Sequence, residues 1–426
     1  MRHWCAIFVA VTLALGQASA SSTIPVEFSA PVSGAYIEDI YPVSLTNAQY
    51  PALLVLWSVG DGTQAVPIQI LSYDSTQAAY TDNTANIISG KIPSILNPRN
   101  AVLAKLNDSS YDSVVIANQG LDASPWPGTT DTLLLATPSG QLIDRSSLLP
   151  QELAYSHDVS AGVINRGGYV GIFLNNIYSE PNTPPKYVID NPRAKYNPRA
   201  KFKLGSLPAA LHSTYPAYTS SALVDVNGSG LSSLVLGAED LTVSTSTVYL
   251  NAGGGTFKKS ITLPASPLPP TEGLYSSTPS GPTILDIRPI NISSPKYADL
   301  VVVSTTGNYT GYAFQILINN GKGVFIDETA TRVSGAPTSS VSSSAEAGGY
   351  WLKRAWVFNH NGIPDIVTEA LTLNTVPSQV FTNDGTGHFT LAESVTGLAI
   401  ANVAVIGGAP TLIETDYQTI TLAPYP

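Results

Sequence analysis

Three heptapeptides, Asn251 to Phe257, Asn319 to Phe325 and Asn383 to Phe389, read N-x-G-x-G-x-F without a gap, and no other feature restricts the fold so tightly. Glycine supplies the positive φ that a tight hairpin turn demands, and the aromatic that follows can cover a neighbouring strand. Before the first heptapeptide runs Leu223 to Leu250, where two short apolar runs flank a polar DVNGSG loop and a variable link leads to a third, VYL. The terminal aromatics recur at spacings of 68 and 64 residues, and a fainter version, IDNPRAKY, precedes them. Short strands separated by turn chemistry, repeated at a near-constant spacing, describe a repeat architecture rather than separate domains.

A single four-stranded sheet cannot bury both of its faces, so each unit must stack on its neighbours, and radial closure also hides the sheet edges. The expectation is an all-β fold, a seven-bladed β-propeller of four-stranded antiparallel blades. The units fall near residues 36–95, 97–150, 155–207, 217–265, 282–329, 349–393 and 394–426, with residues 24–30 pairing with the C-terminal segment to close the ring. Unit three contains a direct duplication, NPRAKY then NPRAKF, which reads as a lengthened surface hairpin. Pro-rich (Leu263 to Pro282) and Ser-rich (Ser334 to Gly349) stretches read as connectors.

The amino terminus has the form of a secretory signal: Arg2 and His3, an apolar core from Trp4 to Leu15, and Ala18-Ser19-Ala20 as a cleavage site. Residues 1–20 are then removed, 21–426 form one propeller domain, and the chain is secreted or periplasmic. Cys5 is the only cysteine, so the mature chain has neither disulfide nor thiol nucleophile. No later apolar run reaches the length of a membrane span. A net charge of −10 and a pI of about 4.9 argue against nucleic acid, since phosphate binding needs a basic face. A monomer is expected, with an unknown protein or glycan as partner.

The pairing of a D-x-[DN]-G-[DN]-G-x-x-D-[LIV] type loop with the N-x-G-x-G-x-F hairpin resembles the FG-GAP/VCBS repeat family of secreted bacterial propellers, related in blade design to integrin α-subunit heads. The resemblance runs from about Tyr36 and is strongest from Asp225 to Phe389. It implies a calcium site in the loop, a chemistry suited to oxygen ligands. Carried over position by position, the ligands are Asp225, Asn227 and Ser229 in unit four and Asn359, Asn361 and Asp365 in unit six. Unit four has Ser233 where an acid is expected, unit six has Val357 at the first position, and unit five has acids only at the two ends, Asp286 and Asp299. No cofactor is expected beyond weakly held calcium.

Chemistry is harder to find. His157, His212, His360 and His388 are scattered, and Ser156-His157-Asp158 places neighbours on opposite sides of a strand, so it is no triad. His157 reads as a loop or rim residue and Lys353-Arg354 as a solvated turn. No nucleophile elbow, phosphate-binding glycine loop or HExxH pattern occurs. Trp126, between Pro125 and Pro127, is the candidate ligand-binding residue. The function expected is a non-catalytic binding scaffold in adhesion or envelope interaction, with a carbohydrate-binding propeller as the alternative and a polysaccharide lyase or dehydratase as a second, requiring acids and histidine clustered at one end of the channel.

Overall fold

Runs such as LLVLW and LVVV are too apolar for a sheet with one wet face, and they become the second strands of blades. In the computed structural model, which describes residues 24–45, 49–106, 109–177, 183–191, 202–212, 217–273, 276–343 and 349–426, seven small antiparallel sheets stand around a central axis as a seven-bladed β-propeller. Residues 1–23, with the expected signal segment, and most of the NPRAK duplication lie outside the described residues. The innermost strands are Tyr36–Val43, Pro98–Ala104, Ser156–Val163, Tyr218–Val224, Thr283–Ile290, Leu352–His360 and Ala399–Ile406. Ala52–Ser58, Ser113–Asn118 and Asp299–Thr305, the second strands of blades 1, 2 and 5, are buried along their whole length because a blade packs on each face.

The core is accordingly divided into apolar layers between consecutive blades. Leu54, Ile70 and Val114 belong to the layer between blades 1 and 2. Phe358, Val367, Ile400 and Leu412 fill that between blades 6 and 7. Trp57, Tyr80, Ile413 and Leu422 seal blade 7 onto blade 1. The heptapeptides of blades 4 and 5 are clasped by their asparagines to the blade before, whereas Asn383 donates to Pro364 O of its own blade. Asn251 Nδ2 donates to Ile164 O at 3.0 Å, and Asn319 Nδ2 donates to Val226 O at 2.8 Å. Phe257 meets Tyr187 edge-on with centroids 5.3 Å apart.

Ring closure differs from the expectation. Val26–Glu27 pairs in parallel with the outer strand Ala79–Asp82 of blade 1, and blade 7 keeps three strands. Blade 1 would otherwise present an open edge, and the N-terminal strand covers it while Phe28 packs on Trp57 at 5.9 Å. The seam is made by inner elements: Asn402 Nδ2 donates to Ile40 O at 2.9 Å, and Ile37 N donates to Tyr417 O at 2.8 Å. Blades 2 and 6 gain parallel outer strands in the same way, from Ile88–Ser89 and Val333–Ser334 of the preceding connectors. The Pro-rich and Ser-rich connectors also hold short strands, Thr271–Gly273 with Ser276–Ser280, and Ser339–Val341 on blade 5.

Chain direction sorts the loops. Long connectors leave the face where the innermost strands begin, here the upper face, while the heptapeptide hairpins and the loops carrying the expected calcium ligands lie on the lower face. Among the described residues no helix is long and apolar enough to cross a membrane.

Candidate functional site in the central channel

Near its upper end every innermost strand slips register by one residue against its partner. The extra residues are Glu38, Arg99, His157, Thr219, Leu285, Lys353 and Ala401. A bulge re-aims side chains, and four of these residues, Arg99, His157, Leu285 and Lys353, line a cavity at the upper end of the channel. The residues that follow, Asp39, Asn100, Asp158, Ser220, Asp286, Arg354 and Asn402, carry a belt of hydrogen bonds from blade to blade. Tyr41 of blade 1 donates to Asn100 of blade 2 at 2.9 Å. Asn100 in turn donates to Asp158 of blade 3, and Asp158 accepts from Ser221 Oγ of blade 4 at 2.8 Å. Ser220 Oγ donates to Ile284 O at 2.9 Å, and Asp286 accepts from Ala355 N of blade 6 at 2.9 Å.

Blade 6 then reaches across the axis to blade 1. Lys353 Nζ stands 2.9 Å from Asp39, 3.1 Å from Glu38 and 3.8 Å from Glu369. Arg354 lies 2.8 Å from Asp39 and 3.4 Å from Glu369, with its guanidinium 5.4 Å from the Trp356 ring centroid. The side chains are 9% (Lys353), 4% (Arg354), 1% (Asp39) and 2% (Glu369) exposed, so the pair expected to be a solvated turn is buried. A cation leaves water only where carboxylates replace its hydration. Burial works against the Lys353 ammonium, but Asp39 and Glu38 outweigh it and hold the pKa above an ordinary lysine. Burial pushes the Glu369 carboxyl up against the pull of Arg354 and Lys353.

His157 is not at the rim either. It is a bulge residue in the channel wall, its Nδ1 2.9 Å from Thr219 O and its Nε2 3.4 Å from the Arg99 guanidinium. Burial, and then the charge of Arg99, hold the imidazole down at about 3, so it is neutral. Burial pushes the Asp158 carboxyl up to about 6 despite bonds from Asn100 and Ser221. Beside them, Tyr155 donates to Asp122 and accepts from Gln119. Arg99, Asn100, His157, Asp158, Asp286 and Arg288 line, with Lys353 and Arg354, a cavity of about 40 Å³. By the room a water needs, that is space for roughly three waters, and not for a sugar ring. A larger groove of about 530 Å³ at the edge of blade 3, between Leu148–Glu152 and Phe202–Leu204, is lined mainly by apolar side chains.

The residues singled out in the sequence lie elsewhere. Trp126 is partly buried on the upper face, against the cluster of Tyr155, Ile177 and Ala217. His212 is exposed and bonds Leu207 O. Asp225 accepts from the N–H groups of Asn227, Ser229 and Gly230 at 3.0, 3.3 and 2.6 Å, so its own loop occupies both carboxylate oxygens, and Asn227 accepts from Ser229 N. In blade 6 the expected loop is a hairpin with a two-residue Asn361-Gly362 turn, both at positive φ of 54° and 84°, as a type I′ turn requires. Asn359 stands in the paired strand, and Asp365 is held by Asn383 N at 2.7 Å and Tyr425 Oη at 2.9 Å. Asp286 is a channel residue, not a loop residue. Among the described residues no group of three or more His, Cys, Asp or Glu could hold a metal ion. The acids of these loops already accept hydrogen bonds, Asp225 from three backbone N–H groups and Asp365 from one backbone N–H and the Tyr425 hydroxyl, which a calcium ion would have to displace or share.

The fold and channel define a seven-bladed propeller with a charge-filled axis. No family profile matches the chain. No curated protein matches it. Among solved structures it is similar to a protein from Lactobacillus plantarum at 11% identity, over 83% of this chain and 84% of that one, with a TM-score of 0.43.

Proposed function

We propose that the protein is an exported, non-catalytic binding scaffold, a propeller of the FG-GAP/VCBS type whose upper-face connectors hold a protein or glycan partner. The observation that carries this reading is the state of His157. A general base needs a lone pair within reach of a substrate proton and a pKa near the working pH. His157 has both ring nitrogens engaged and a pKa of about 3. Around it Lys353, Arg354, Asp39 and Glu369 are spent on one another. Recognition then belongs to loops on the rigid ring, and the long ones share one face. Carbohydrate recognition is the second reading, favoured by the part of the Trp126 ring left exposed on that face.

The test is to incubate the mature chain with neutral and uronic-acid polysaccharides and follow new reducing ends and unsaturated products. The expectation is no turnover by the wild type or by His157→Gln; turnover that this substitution abolishes contradicts the scaffold reading. Export is checked by the N-terminal residue of the secreted protein, expected to be Ser21.

A further inference from the structure

Of the four cations around the 40 Å³ cavity, three face a carboxylate among the described residues and one, Arg99, does not. Lys353 and Arg354 face Asp39, Glu38 and Glu369. Arg288 gives Nε to Asp286 at 2.9 Å, but its buried Nη2 has no acceptor among the described residues. Arg99 has no carboxylate within 4 Å among the described residues; its side-chain contact is with His157, a neutral ring that contributes no compensating charge. The nearby Trp356, over whose ring the Arg288 guanidinium lies at 4.8 Å, also has a buried Nε1 without an acceptor. A buried donor without an acceptor costs the full desolvation of that group, and guanidinium groups present paired N–H donors that match a carboxylate. The same cavity is walled by Asp158 and Asp286, which repel a dianion more than a monoanion.

We infer that the upper end of the channel is a recognition site for a carboxylate group, seated between Arg99 and Arg288 and carried by a ligand whose remainder stays among the upper-face connectors. The space, roughly three waters, equals the three heavy atoms of a carboxylate and excludes the body of the ligand. This inference rests on the binding-scaffold reading and names the chemistry that the scaffold holds. It also gives an acidic protein a reason to keep Arg99 without a carboxylate, and Arg288 with an unused Nη2, in its channel.

The probes are sodium acetate, sodium galacturonate and inorganic phosphate, titrated calorimetrically into the full mature chain. The proteins compared are the wild type, Arg99→Gln, Arg288→Lys, which retains the contact with Asp286, and the exposed lower-face control Lys322→Gln. The expected result is saturable binding of both carboxylates, weakened about tenfold or more in each arginine variant and unchanged in the control, with thermal melts showing that at least one arginine variant is folded. Equal carboxylate affinity in the wild type and a folded arginine variant overturns the site. Binding of phosphate but of neither carboxylate overturns the assignment of ligand class. Conversion of galacturonate oligomers to products would instead overturn the scaffold reading and leave the carboxylate site standing, and absence of carboxylate binding without any turnover sinks the site alone.

Discussion

Asp131 shows how a single buried carboxyl couples this protein to pH. It is 5% exposed and accepts from Asn118 N at 3.0 Å and Ser156 Oγ at 3.0 Å, with no cation beside it, and burial pushes its pKa up to about 7. The native state therefore holds a proton that the unfolded chain has lost above its ordinary value of 3.8. Its contribution to stability is full below that value and is lost as pH rises through about 7, a change on the order of a few kcal/mol. Asp131→Asn keeps the bond from Asn118. Ser156, which also donates to Asn176 Oδ1 at 2.8 Å, can accept from the new amide. Urea unfolding at pH 5 and pH 8 should show the variant gaining on the wild type at the higher pH; an equal gap at both values refutes the assignment. His157 works in the opposite direction, since its depressed pKa stabilises the neutral form as pH rises from about 3 to 6.5.

At the scale of the element, the heptapeptide was readable because its function is local. Its second glycine needs a left-handed backbone and a close approach to the blade before: at Gly323 φ is +77°, and a Cβ would come within 2.9 Å of Leu250. Gly323→Ala should cost about 2 to 4 kcal/mol, combining backbone strain and overpacking. Gly230→Ala, at φ +75° in open space, should cost about 1 to 2 kcal/mol for the backbone alone. Denaturant midpoints compare them, and equal losses would deny that the hairpin packs on its neighbour. A second repeat went unread because it is shorter. Asp82-x-Thr84, Asp144-x-Ser146 and Asp327-x-Thr329 each end an outer strand, the hydroxyl donating to the carboxylate and accepting the N–H of Ile70, Leu133 or Ile316. The calcium expectation is testable here too. Asp225 already serves three backbone N–H groups, so millimolar calcium should leave the melting temperature unchanged within about 1 °C, and a larger rise lost in Asp225→Asn would restore the metal.

For the whole molecule, the ring was legible because hairpins and apolar runs repeat, while the channel was not. Its seven bulge dipeptides are Glu38-Asp39, Arg99-Asn100, His157-Asp158, Thr219-Ser220, Leu285-Asp286, Lys353-Arg354 and Ala401-Asn402. Their first positions share no residue type, and the second, Asp in three and Asn in two, is too loose a pattern to find without the register. Lys353 and Arg354 look like a solvated turn because the partners that bury them, Glu38, Asp39 and Glu369, belong partly to another blade. Lysine to carboxylate across the axis makes the channel a clasp that holds blade 6 against blade 1, bypassing the three-stranded blade 7. The direct measurement is a double-mutant cycle of Lys353→Met and Asp39→Leu followed by equilibrium unfolding. A clasp predicts that Lys353→Met alone costs about 3 to 5 kcal/mol, by leaving buried Glu38 without a cation and Asp39 and Glu369 with Arg354 alone, and that the double variant recovers at least about 1 kcal/mol of the summed single losses. Wild-type stability in Lys353→Met, or strictly additive losses, would contradict it.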